Sequence, residues 1–173
     1  VFTQIASGVG FGVVALSLQL PHFFACSIAL LAVIAFSGDT HDIATDGVYM
    51  TELSKSDQAK YIGWQGAFYN IAKIVASGGL VYLAGWLVKR FGGVEGASGE
   101  VVYEANVHAW MIVMFVMAIV MISLGLYHTR MLPSGGAATS EATSFKETFD
   151  KLVEVILDFF KKKHIWYYIA FII

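Results

Sequence analysis

Charge is what this sequence has least of. Asp, Glu, Lys and Arg make up 14% of its 173 residues, against roughly 25% in an ordinary soluble domain. The formal net charge is −2, so no global basic field points to nucleic acid. A single cysteine, Cys26, lies inside an apolar block. It excludes an internal disulfide and reads as a small buried hydrophobe. Metal-ligand spacing is missing too, because His22, His41, His108, His128 and His164 are scattered and sit mostly at the ends of apolar runs. The glycine-rich pieces FGGVEGASG and PSGGAATS neither follow a strand nor open a GK[ST] helix, which argues against a phosphate loop. No nucleophile stands beside a base, so an enzyme is not expected, and no cofactor is implied.

What the sequence has is apolar length. Hydrophobic residues reach 57%, and they come in blocks: Val1–Leu20, His22–Ser37, Ala67–Val88 and Val107–Tyr127. Each is at or near the roughly 20 residues that cross a bilayer core. Only Lys73 interrupts them with a full charge. Backbone groups in lipid must be satisfied within their own segment, so each block is expected to be a helix. A signal peptide does not fit the first block, which lacks a basic leading region and is followed by three more spans. The final HIWYYIAFII begins a fifth apolar run of about half a span. The expectation is an all-α membrane protein and an internal piece of a longer chain, whose remaining helices are partners along with the lipid bilayer. Residues 1–127 form part of a transmembrane bundle of four helices, 128–164 a central loop, and 165–173 the start of the next helix.

Sorting the basic residues by loop gives an orientation. Lys55 and Lys60 fall in Thr51–Lys60, and Arg130, Lys146, Lys151 and Lys161–Lys163 fall in His128–His164, making eight on one side. Lys89 and Arg90, in Lys89–Asn106, are the two on the other. The positive-inside rule places the first two loops in the cytoplasm. Within the longer one, LPSGGAATSEATS reads as a linker. TSFKETFDKLVEVILDFFKKKH reads as an amphipathic helix: Ser144 and Glu147 form a capping box, and Phe145, Phe149, Leu152, Ile156, Phe159 and Phe160 recur at helical spacing. Such a helix either lies on the inner leaflet or packs on the protein's own cytoplasmic face.

The polar residues inside the spans carry the functional argument. In SGDTHDIATDG, Ser37 to Gly47, three carboxylates end a long apolar run. If the second helix continues to Glu52, Asp39, Asp42 and Asp46 fall within a sector about 60° wide, with His41 on the far side. From Asp39 to Glu52 such a helix rises about 20 Å. Ionisable groups at that depth face a bundle interior or a water-filled path. For Asp46, nearest the interface, anchoring a helix end is an equal alternative. The third span has its own stripe of Gly66, Tyr69, Asn70, Lys73 and Ser77. Lys73 lies about four turns from the far end, where pairing with Asp39 or Asp42 offsets the cost of both charges. Tyr69, Asn70 and Gln4 of the first span contact solute or satisfy neighbouring helices. Ser77, Gly78, Gly79 and Gly85 form a small-residue surface for close helix packing.

These residues also carry a resemblance. SGDTHDIATDG, with its DIxxD core at Asp42–Asp46, resembles the fourth helix of the AmpG-type muropeptide permeases, a branch of the major facilitator superfamily that also holds the acetyl-CoA transporters. Thr3-Gln4 resembles the start of that family's third helix and Ser77-Gly78-Gly79-Leu80 the SGGL of its fifth. Met131-Leu132-Pro133 resembles the exit of the sixth helix, and Phe159-Phe160 before His164-Ile165-Trp166 the run into the seventh. Lys73 and the acidic loop Gly92–Asn106 depart from the family pattern. The resemblance implies part of a major facilitator bundle, helices three to seven. It implies a secondary transporter of the bacterial inner membrane, a proton symporter importing a cell-wall sugar–peptide or a related small-molecule solute. In such folds solute binds near the midplane between two halves. A carrier for another solute (sugar, acyl-CoA-like or iron chelate) is the alternative within transport. A non-transporting membrane sensor is the alternative outside it.

Overall fold

The computed structural model describes residues 1–132 and 145–172, and every regular element among them is helical. They fall into two compact units, Val1–Pro133 and Ser134–Ile173. In the first unit α1 spans Phe2–Ser17, α2 Phe23–Glu52, α3 Lys55–Ile74, α4 Val81–Arg90 and α5 Gly99–Met131. Between α3 and α4 the helix does not stop. It widens into a π-helical stretch at Val75–Leu80, so Lys55–Arg90 is one continuous rod of 36 residues.

Three helices are long and apolar enough to cross a membrane: Phe23–Glu52, Lys55–Arg90 and Gly99–Met131. The structure thus supports a multi-pass membrane protein. Of the four complete spans expected, these three meet that length. The first apolar block folds as a shorter apolar helix of 16 residues. It ends where Leu18–His22 turns the chain, with the backbone N–H of Leu20 donating to the Ser17 carbonyl at 3.0 Å.

The expected loops are also shorter than the charge pattern implied. Thr51–Lys60 shrinks to a two-residue corner, because Ser54 caps α3. Its Oγ accepts from the Asp57 N–H at 3.2 Å and donates to the Asp57 carboxylate at 2.7 Å, a reciprocal cap. Lys89–Asn106 shrinks to Phe91–Ser98. There α4 closes with Gly93 N–H donating to Val88 O at 2.9 Å and Gly92 N–H to Lys89 O at 3.2 Å, a Schellman ending. Its turning residue, Gly92, has φ +89°, which a side chain would disfavour. Ser98 then caps α5 through the Val101 N–H at 3.4 Å. At the other end α5 runs on through Met131, so the loop expected from His128 starts later.

The packing is centred on α1, which lies against both α2 and α5, while α4 packs on α5. The buried positions are small: Val14 and Ala15 of α1, Ala84 and Leu87 of α4, and Ala105, Ala109, Val113 and Ala118 of α5. Side chains this small let the backbones approach. A Cβ on Gly8 would stand 2.7 Å from Ile122 Cγ1, one on Gly125 2.7 Å from Ile5 Cγ1, and one on Gly10 2.7 Å from Ile34 Cγ1. Neither α2 nor α3 has a buried residue. The second unit holds α6, Phe145–Lys161, and α7, Ile165–Ile172, which pack on each other. Ser144 of the expected capping box and residues 133–144 of the linker lie outside the described residues, as do the side chains of Glu147 and of Phe145, Phe149 and Leu152 in the expected apolar stripe.

Candidate functional site

α2 is unbroken from Phe23 to Glu52, and this continuity places Asp39, Asp42 and Asp46 along one stripe. Inside such a helix, polar residues turn first to their own backbone. The Oγ1 atoms of Thr40, Thr45 and Thr51 donate to carbonyls four residues back, at 2.8, 2.9 and 2.9 Å. The aspartates have no donor of that kind. All three carboxylates are exposed, and Asp42 is 83% so.

The corner after α2 decides what the stripe faces. The Tyr49 hydroxyl donates to the Gln58 carbonyl at 2.6 Å, and Gln58 Nε2 donates to the carbonyls of Met50 and Leu53 at 3.2 and 2.9 Å. These bonds tie the end of α2 to the first turn of α3. Two turns further on, the helices enclose a cleft of about 220 Å³ lined by Asp42, Thr45, Asp46, Gln65 and Tyr69. The structure therefore brings two of the three aspartates together with Tyr69 of the next helix. Asp39 stays outside this cleft.

Tyr69 has a second contact. The Lys73 ammonium lies 5.4 Å from the centroid of its ring, a cation–π distance. No carboxylate among the described residues lies within 4.0 Å of Lys73, so the expected ion pair with Asp39 or Asp42 is not formed. The reason is geometric: from Ala59 to Gly79 every residue of the rod is exposed, and Lys73 lies in this unpacked part. Its nearest partner is its own helix, one turn back. Asn70 and Ser77 also turn inward on the backbone, Asn70 Nδ2 donating to Gly66 O at 2.9 Å and Ser77 Oγ to Lys73 O at 2.6 Å.

The structure gives Gln4 the second of its two expected roles and leaves the expected small-residue surface without a neighbour among the described residues. Gln4 is 4% exposed and accepts at Oε1 from His128 Nδ1 at 2.8 Å, tying α1 to α5. It satisfies a neighbouring helix and does not open on the aspartate cleft. The small-residue surface at Ser77, Gly78, Gly79 and Gly85 is unpacked: a Cβ on Gly78 or Gly85 would meet nothing within 4 Å, and one on Gly79 only its own Val75. Close packing falls instead on Gly8 of α1, where a Cβ would stand 3.1 Å from the Ala118 carbonyl oxygen of α5, with Gly12 in ordinary contact with Ala118. The four-residue spacing in GVGFG was the available signal. Gln65 lines the cleft without having stood out in the sequence, and His41, on the far side of the stripe, brings Nδ1 to 3.5 Å from Oδ1 of its neighbour Asp42.

Among the described residues no group of three or more His, Cys, Asp or Glu is placed to hold a metal ion. Comparison with protein-family models, curated proteins and solved structures finds no match to this chain. The chemistry must be read from the cleft: two carboxylates one helical turn apart, an amide, a hydroxyl and a phenol, with the Lys73 ammonium 5.4 Å from the centroid of the phenol ring. Such a set accepts protons, donates hydrogen bonds to a polar solute and attracts an anionic group, all within about two helical turns.

Proposed function

We propose that these helices form part of the N-terminal half of a major facilitator-type secondary transporter of the bacterial inner membrane. It works as a proton symporter that carries a cell-wall sugar–peptide fragment, an anhydro-muropeptide, inward. The observation that supports this most is the cleft where Asp42 and Asp46 meet Gln65 and Tyr69 between two span-length helices. A carboxylate moved from water into a closed, low-dielectric path favours its protonated form. Opening and closing the cleft would therefore load and release a proton. Gln65 and Tyr69 offer hydrogen bonds to hydroxyl and amide groups of a sugar–peptide, and Lys73 attracts its carboxylates.

Lys73, which has no carboxylate within 4.0 Å among the described residues, also suits one second reading, a carrier for another anionic solute such as an acyl-CoA-like compound. The full-length protein in proteoliposomes separates the two. With an imposed inward proton gradient, anhydro-muropeptide should accumulate and collapse of the gradient should release it. Accumulation of acyl-CoA, sugar or iron chelate in its place would replace the substrate. Uptake of any solute that equilibrates without regard to the gradient would remove proton symport.

A further inference from the structure

Helix α6 has two unlike faces. At 100° per residue Val153, Ile156, Phe159 and Phe160 fall on one side and Asp150, Glu154, Asp158 and Lys161 on the other. The polar side is held by its own charges, Lys161 Nζ lying 3.3 Å from Asp158 Oδ1. Apart from the Phe160–Trp166 contact with α7, the described residues of the apolar side are largely uncovered within their unit, with Ile156 47% and Phe159 and Phe160 each 44% exposed.

The residues after α6 point to the occupant of that face. Lys162 and Lys163 extend the basic end of the helix, and their side chains make no hydrogen bond or ion pair to the described residues. His164 then takes a left-handed conformation, φ +68°, and turns the chain into α7, whose eight residues IWYYIAFI carry no charge. Trp166, Tyr167 and Tyr168 open α7 with 65–77% of their surface exposed, and Trp166 stacks 5.6 Å from Phe160 of α6. Lysines, then Trp and Tyr, then apolar residues is the order in which a chain passes from headgroups into hydrocarbon. The Phe160–Trp166 contact joins the end of α6 to the start of that order.

We propose that α6 lies in the plane of the membrane surface, with its Ile156 face in the upper acyl region of an anionic leaflet and Lys162 and Lys163 on lipid phosphates. This depends on membrane residence alone and not on the transport reading. A helix of 17 residues covers about 25 Å of surface at 1.5 Å per residue. A one-sided apolar face with cations at one end suits a leaflet better than solvent.

The test is a fluorophore depth measurement on the full chain in nanodiscs. A Cys26→Ser background carries one environment-sensitive probe through Ile156→Cys or Glu154→Cys. In a phosphatidylglycerol–phosphatidylcholine leaflet, the probe at 156 should be quenched by acyl-chain spin labels and shielded from iodide, and the probe at 154 should do the reverse. Shielding of position 156 from both quenchers would overturn the proposal in favour of protein covering that face, whether a second copy or this chain. Quenching of 156 by iodide would overturn it in favour of solvent. In phosphatidylcholine alone, and in Lys162→Gln/Lys163→Gln with the anionic lipid, acyl-chain quenching at 156 should fall several-fold. Equal quenching in all three would remove the phosphate contacts.

Discussion

An unpartnered ammonium at the centre of a membrane helix is unfavourable by about 2.5–3.5 kcal/mol on insertion scales, and in this fold the face of Tyr69 is what Lys73 is given. At an exposed site that contact is worth about 0.5–1 kcal/mol. The Tyr69→Leu and Lys73→Met changes should therefore couple by about that amount in thermal unfolding of the detergent-solubilised protein. Asp39→Asn and Lys73→Met should simply add. A double mutant of Asp39 and Lys73 more stable than its worse single mutant would restore the direct pair. The sequence marked these residues well, because charge in an apolar run is conspicuous. It could not say whom they meet, since pairing depends on how far apart α2 and α3 stand. Gln4 illustrates the same limit. Its polarity was visible, but His128, 124 positions away, is brought to it only by α1 packing on α5.

Among the elements, helix type could be read directly from hydropathy, while the ends of helices and the packing glycines could not. Charged TELSKSDQAK looked like a loop because polarity and helix propensity are independent. Ser54 and Asp57 close a cap there, and the helix begins among the charges. The glycines were misassigned because SGGL is the more conspicuous cluster, and its π turn shifts the register between α3 and α4. The consequence is measurable. Gly8→Ala places a Cβ 2.7 Å from Ile122 Cγ1 and 3.1 Å from the Ala118 carbonyl oxygen, and overpacking of this kind lowers stability by about 1–3 kcal/mol. Gly85→Ala meets open space in the middle of α4 and should raise stability by about 0.5–1 kcal/mol. Melting temperatures that move together, in either direction, would contradict this assignment of the α1–α5 contact.

For the molecule as a whole, three span-length helices support a multi-pass membrane protein, and the basic residues set its expected orientation. With Cys26 replaced, a cysteine at Ala137 should resist an impermeant maleimide in intact cells and one at Glu95, in the Phe91–Ser98 loop, should react. The opposite pattern would invert the topology. If the aspartate cleft couples solute movement to protons as proposed, removing the Asp42 charge should uncouple them. Because Asp42 is exposed and buries nothing, Asp42→Asn should leave membrane expression and melting temperature unchanged. The measurement is proton-driven accumulation of anhydro-muropeptide by wild type and Asp42→Asn in matched proteoliposomes. The wild type should accumulate it, and the variant should only equilibrate it, with no response to the pH gradient. Undiminished accumulation by Asp42→Asn, with its pH dependence intact, would contradict the proposal.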